Sequence, residues 1–145
     1  MAAAPLPPTF GDKLVDATDR IVEAFNRLVA VGRDGVAERP AHEQIIYYIV
    51  ATRCEIDIGG FSAVYEQDLN PTQISILVDG LNTIGEKDLA DAFYRGFRLL
   101  KHDGFYEHMD WNKVSNAVKS ELEVIGLFVG DRLWALDRKL AVLLD

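Results

Sequence analysis

Residues 45–61 of the sequence, IIYYIVATRCEIDIGGF, carry the pattern that decides the fold. Apolar side chains recur there at helical spacing, which predicts an amphipathic helix whose first turn contains Pro40. The predicted buried face consists of Ile45, Tyr48, Ile49, Thr52 and Ile56. Gly59 and Gly60 follow, and glycine closes a helix without steric cost because it adopts the left-handed conformation freely. We therefore expect a structural turn at these glycines, with a positive φ at Gly60, after which Phe61 folds back into the core.

Helical spacing of apolar residues continues through most of the chain. In residues 12–31, Leu14, Ile21, Phe25 and Leu28 recur at steps of seven, four and three, which predicts a long amphipathic helix. Similar patterns predict helices from residue 71 to about residue 85, over 86–101, from about 111 to 129 and over 131–145. No strand-like alternation of useful length appears. The predicted fold class is all-α, a single-domain helical bundle of about six helices over residues 12–145, with residues 1–11 as a flexible N-terminal arm.

Short connections separate the predicted helices. Residues 32–39 are interpreted as a loop, and residues 62–69 as a turn or a short helix. Asn70 is a predicted N-cap with Pro71 in the first turn, and Asp110 is predicted to cap the helix that follows it. The apolar sides of the helices predict one shared core. Its expected members include Phe61, Leu81, Ile84, Phe93, Phe97, Leu133, Leu136 and Leu140.

The negative charge of the chain is concentrated in one segment. The whole chain has a net charge of −8, and residues 55–91 hold eight acidic residues against a single basic one. The acidic residues are Glu55, Asp57, Glu66, Asp68, Asp79, Glu86, Asp88 and Asp91. Two interpretations stay open: these carboxylates serve as caps, turn formers and solvent contacts, or they form an acidic face that steers a basic partner.

The composition disfavours several classes of protein. With 49% hydrophobic and 26% charged residues, the chain has the balance of a globular protein and not of a disordered one. It has one cysteine, and its first eight residues lack the features of a signal peptide or a membrane span, so we expect a cytoplasmic protein. The net charge disfavours direct binding to nucleic acid and to anionic membranes, because such binding relies on Lys and Arg.

The sequence contains no Gly-rich phosphate loop, nucleophile elbow or zincin helix. We therefore expect no catalytic, cofactor-binding or metal site, and we predict that the chain is not an enzyme. One cluster of potential metal ligands lacks the spacing that puts two ligands on one helical face, so we interpret it as a solvated loop. Its members are His102, Asp103, Glu107, His108 and Asp110. We expect Cys54 to be a small core residue and His42 to lie at the surface.

Three stretches of the chain resemble a known family: residues 55–61 (EIDIGGF), 81–85 (LNTIG) and 133–144 (LWALDRKLAVLL). They are similar to a small helical bacterial family of mostly unknown function that includes a DNA-mimic protein. The matching positions are Glu55, Gly59, Gly60, Phe61, Leu81, Ile84, Gly85, Leu136 and Asp137. Ile58 stands where the family usually has Asn, and Ala63 with Val64 replaces its Gln-aromatic step. The resemblance implies an α-helical bundle and a protein-binding or DNA-mimic role.

Two functional hypotheses follow. The first is a non-enzymatic protein-binding module that presents an acidic face to a basic partner, in the manner of a DNA-mimic regulator whose partner is a DNA-binding protein. The second is an immunity-type, inhibitor-type or structural protein that binds one partner through apolar contacts. In both we expect no cofactor and no direct contact with nucleic acid or membrane, and a homodimer is left open.

Overall fold

The computed structural model describes the backbone of residues 10–145 and the side chains of residues 16–66 and 69–145. Within this range the chain is 81% helical and has no strand, and five of its helices contain seven or more residues. The predicted all-α helical bundle is confirmed.

The helices follow one another with short connections. Their bounds are α1 (Phe10–Val31), α2 (Arg33–Val36), α3 (Ala41–Gly59), α4 (Pro71–Thr83), α5 (Lys87–His102), α6 (Phe105–His108), α7 (Asn116–Trp134) and α8 (Asp137–Val142). A π-helical turn at Val64–Asp68 precedes α4, and a 3-10 turn at Trp111–Lys113 precedes α7.

The longer helices enclose one continuous core. α3 contacts α1, α4 and α7, while α5 lies between α4 and α7, and α1 also packs along α8. The fully buried side chains include those of Tyr48, Tyr65 and Phe93. Six of the eight predicted core residues are buried, and the other two, Ile84 and Phe97, are partly buried against the same core. The predicted core is therefore largely confirmed.

α3 ends at the predicted glycine turn. Gly60 has a φ of 84°, and its N–H donates to the carbonyl of Ile56 at 2.9 Å. Phe61 then enters the core beside α7. A Cβ at residue 126 would lie 2.7 Å from the Cβ of Phe61, so Gly126 is what allows this close approach.

The capping predictions have mixed outcomes. Asn70 caps α4 as predicted, and its carboxamide oxygen accepts from the N–H of Gln73 at 2.9 Å. The prediction that Asp110 caps the next long helix is wrong. Asp110 accepts from the N–H of Asn112 in the short 3-10 turn, and α7 is capped by Ser115. Val114 is extended and separates that turn from α7.

Three predicted boundaries differ from the structure. α1 begins at Phe10, so residues 10 and 11 of the predicted arm are helical, and residues 1–9 lie outside the described part. The predicted loop 32–39 contains α2, which buries Val36. The predicted helix 131–145 is divided, because α7 ends at Trp134 and Asp137 turns inward at the start of α8.

Cys54 was expected in the core, and this prediction is wrong: Cys54 is exposed. The preceding residue, Arg53, takes the inward position at this turn of α3 and is buried. An apolar surrounding sequence does not show which of two neighbouring residues points inward when a charged residue has a buried partner.

Candidate functional site

A groove of about 650 Å³ lies between the glycine turn and α7. The residues along it are Ile56, Gly59, Gly60, Phe61, Ser62, Trp111, Lys119, Leu122, Glu123, Gly126 and Leu127. Its apolar lining comes from the last turns of α3 and from one side of α7. The groove exists because Gly60 turns the chain sharply and Gly126 lets Phe61 approach the α7 backbone. Concave apolar surfaces of this size are typical binding sites for ligands or for anchor side chains of partner proteins.

α7 carries apolar residues on two sides. Its inner side buries Leu122, Ile125, Val129 and Leu133. On its outer side Val124 is 63% exposed, Leu127 is 85% exposed and Trp134 is 54% exposed. On α3, Ile58 is 84% exposed. A helix that is apolar on both sides is typically covered on both sides, so the outer side of α7 has the character of a contact surface.

The sequence analysis missed this surface. Of the residues in α7, only Leu133 was predicted to be in the core, and no exposed apolar side was predicted for this helix. The available signal was the run of seven successive apolar or glycine residues at 124–130, which exceeds what one side of a helix accommodates.

A buried ionic network holds Trp134 in place. Arg53 lies 5.0 Å from the Trp134 ring centroid, and its Nη1 donates to Oδ1 of Asp137 at 2.6 Å. The same nitrogen lies 3.4 Å from the carbonyl oxygen of Leu133, and the hydroxyl of Thr18 donates to Oδ2 of Asp137 at 2.7 Å. These contacts link α1, α3 and the α7–α8 junction, and the sequence reasoning did not find them.

Two of the eight predicted acidic-face residues have lysine partners. Glu86 pairs with Lys139 at 2.6 Å, and Asp91 pairs with Lys87 at 2.8 Å. The pairing of Asp91 raises the pKa of Lys87, chiefly through the hydrogen bond. The carboxylates of Glu86 and Asp91 are therefore partly neutralised.

Five others form no ion pair with any other side chain in ranges 16–66 and 69–145. These are Glu55, Asp57, Glu66, Asp79 and Asp88, while the side chain of Asp68 lies outside the described residues. Asp88 and Asp91 line one shallow cavity together with Arg95. Asp57 is exposed near the end of α3, and it is not among the residues that line the groove. The acidic set is thus divided between α3, the π-helical turn, α4 and α5.

A second exposed surface is basic and aromatic. On α5, Arg98 lies 5.8 Å from the Tyr94 ring and Lys101 lies 5.9 Å from the Phe97 ring, beside a shallow cavity of about 460 Å³ that His102 also lines. Cations at the last turn of a helix interact favourably with its dipole, so this surface has an ordinary stabilising explanation.

Two carboxylates of the cluster of potential metal ligands at residues 102–110 accept hydrogen bonds from backbone N–H groups. Asp103 accepts from the N–H of Ser115 at 2.7 Å, and Asp110 accepts from Asn112. No group of three or more His, Cys, Asp or Glu side chains able to hold a metal ion occurs among the described residues.

Burial raises the pKa of two tyrosines. That of Tyr65 lies well above its usual value, and its hydroxyl donates to the carbonyl of Phe93 at 2.8 Å. That of Tyr106 is also raised by burial, and its hydroxyl has no hydrogen-bond partner among the described residues. Both hydroxyls lie inside the helical packing and away from the groove, so their perturbation has a structural cause.

In the described part of the chain, no helix is both long enough and apolar enough to span a bilayer. Comparison of the chain with protein-family models, curated proteins and solved structures finds no match. The family resemblance of residues 55–61, 81–85 and 133–144 therefore stays a prediction.

Proposed function

We propose that this chain is a non-enzymatic protein-binding module that presents an acidic surface to a basic partner protein. The observation that carries the proposal is the apolar groove beside α7, together with the exposure of Leu127 and Trp134 on the outer side of that helix. Covering this apolar surface with a partner is favourable, since burial of apolar surface releases about 25 cal/mol per Å².

The charge distribution favours a partner protein with positive charge. The net charge is −8, and Glu123, which lines the groove, has no ion-pair partner among the described side chains. A basic protein is attracted by such a field and an acidic one is repelled. A DNA-mimic-like regulator is one form of this module, and its partner would be the DNA-binding face of another protein.

The second candidate is an immunity-type, inhibitor-type or structural protein that binds mainly through apolar contacts. The same exposed side chains favour it, together with the pairing of Glu86 and Asp91 by lysines, which weakens the acidic field. The two candidates differ in their dependence on salt, because added salt screens charges and leaves apolar contacts intact.

The test is capture of a partner on the immobilised chain, identification of that protein, and repetition with both components purified. The first candidate predicts a basic partner whose association rate falls steeply between low and high salt. A purified partner with salt-independent binding supports the second candidate instead. If no captured protein binds once purified, the interaction role itself is contradicted.

A further inference from the structure

The outer side of α7 has the spacing of a helix–helix contact. Glu123, Leu127, Gly130 and Trp134 follow at intervals of four, three and four residues, which places them in one row along the helix. A Cβ at residue 130 would meet no atom within 4 Å, so the row has a gap between two large apolar side chains. A gap flanked by apolar side chains accepts a side chain from a second helix.

The groove extends this row at its N-terminal end. Glu123 and Leu127 belong both to the row and to the groove lining, whose apolar part includes Ile56, Phe61 and Leu122. A side chain of the partner that enters the groove would be removed from water. Its neighbours in the partner would cover the row. Buried anchors of this kind contribute most of the free energy at protein interfaces.

The rim of this surface carries two carboxylates. Glu123 and Asp131 are exposed on α7. Neither has an ion-pair partner among the side chains that the structure describes. A partner with cationic side chains beside its apolar stripe would therefore gain new charge contacts at this rim.

Two cations of α7, Lys119 and Arg132, contact aromatic rings. Lys119 lies 5.4 Å from the ring centroid of Trp111. Arg132 lies 3.9 Å from the ring of Phe128 and donates to the carbonyl of that residue at 2.7 Å. Both cations contact aromatic rings, and neither forms an ion pair with a rim carboxylate among the described side chains, although Lys119 also lines the groove.

A second copy of the chain is disfavoured as the molecule that covers the α7 row. A two-fold contact through α7 would bring the same acidic rim close to itself in a protein of net charge −8, and like charges repel. The charge therefore favours a different protein with basic flanks.

We propose that the α7 row and the groove beside the glycine turn bind an amphipathic helix of a partner protein, with apolar side chains in the row and Lys or Arg at the rim. This inference rests on the proposed function and names its surface and the chemistry of its partner.

The experiment uses two synthetic helical peptides of about 18 residues, long enough to form a helix on binding. Both carry the same leucine stripe, one with lysine and the other with glutamate at the remaining positions. The basic peptide is expected to shift backbone amide NMR signals in residues 56–61 and 122–134, and the acidic peptide is not. Shifts confined to α5 or α1, equal responses to both peptides, or no response to the basic peptide would each overturn the inference.

Leu127→Lys is the matched variant, and Val142→Lys on α8 is its control, because both residues are exposed and the chemical change is the same. We expect about a tenfold or greater loss of affinity for the basic peptide with Leu127→Lys and little change with Val142→Lys. Thermal unfolding of both variants verifies the fold. Equal affinity of the two variants contradicts the assigned surface.

The purified partner separates this inference from the proposed function. A basic partner that binds wild type and Leu127→Lys equally well contradicts the surface and leaves the binding role standing. The absence of any purified partner contradicts the binding role. A concentration-dependent dimer that Leu127→Lys dissociates would replace the foreign helix by a second copy and overturn the proposal.

Discussion

Arg53 and Asp137 form a buried ion pair, with 2.6 Å between Nη1 and Oδ1 and side chains only 4% and 10% exposed. Arg53 belongs to α3 and Asp137 begins α8, so the pair ties the middle of the chain to its C-terminal end. The same guanidinium contacts the ring of Trp134 on the outer side of α7. Arg53 therefore contacts both the buried start of α8 and one residue of the proposed contact surface.

Asp137→Leu is expected to destabilise the chain by about 3 to 5 kcal/mol, because it leaves the charge of Arg53 buried without a partner. Urea denaturation measures the effect. The control is Asp145→Leu, which breaks the exposed pair with Arg20 and should change stability by about 0 to 1 kcal/mol. Similar effects for both substitutions would show that the Arg53 pair is not a specific stabilising contact.

Gly60→Val is expected to destabilise by about 1 to 3 kcal/mol, since valine is strained at a φ of 84°. Gly130→Ala is the matched control. Residue 130 lies inside α7 with open space around it, and alanine there should stabilise by about 0.5 to 1 kcal/mol. Chemical denaturation of the two variants compares them, and wild-type stability of Gly60→Val would contradict the conformational argument.

Local signals predicted most of the fold. The glycines at 59 and 60 act through their own backbone, and the side chain of Asn70 caps the next turn, so their outcome depends on few distant contacts. The division of the C-terminal helix at residue 135 was not predictable, because it depends on a partner of Asp137 that lies 84 residues away in sequence. Cys54 was misplaced for the same reason, since the inward turn of its neighbour Arg53 requires that distant carboxylate.

The candidate site was less predictable than the fold. The acidic residues can be read from the sequence, but their ion-pair partners cannot. The structure pairs Glu86 and Asp91 with lysines, and Asp57 has no ion-pair partner among the described side chains. The outer face of α7 was hidden because apolar spacing does not distinguish a side that packs on the core from one that faces solvent.

Burial of Tyr65 predicts a loss of stability at alkaline pH. Its pKa is raised well above the ordinary tyrosine value of 10.0, so the folded chain keeps a proton that the unfolded chain loses above that pH. Stability is then complete below pH 10 and falls as the pH rises further. Tyrosinate absorbance, compared between wild type and Tyr65→Phe, should show Tyr65 ionising only on unfolding. Ionisation of Tyr65 in the folded chain would contradict the assigned burial.

Tyr106→Phe is expected to leave stability unchanged or to raise it slightly, because the removed hydroxyl is buried with no hydrogen-bond partner among the described residues. Tyr65→Phe is the comparison. It removes a bond to the carbonyl of Phe93 and should destabilise by about 1 to 3 kcal/mol. Thermal unfolding ranks the two variants, and a larger loss for Tyr106→Phe would reverse the expected order.

Replacing Glu55, Asp57 and Asp79 by their amides should slow association with the basic partner, most strongly at low salt. The control variant makes the same charge change on α1, at Asp16, Asp19 and Glu23. Stopped-flow kinetics compares the two. Equal slowing of both variants would mean that total charge acts and that these positions have no special part.

Hydrogen exchange of the chain, alone and saturated with its purified partner, tests the central claim most directly. The account predicts that binding increases amide protection in residues 56–61 and 122–134 and that the partner's protected segment is a basic amphipathic helix. Protection confined to the basic surface of α5, or spread over α1 with none on α7, would contradict it.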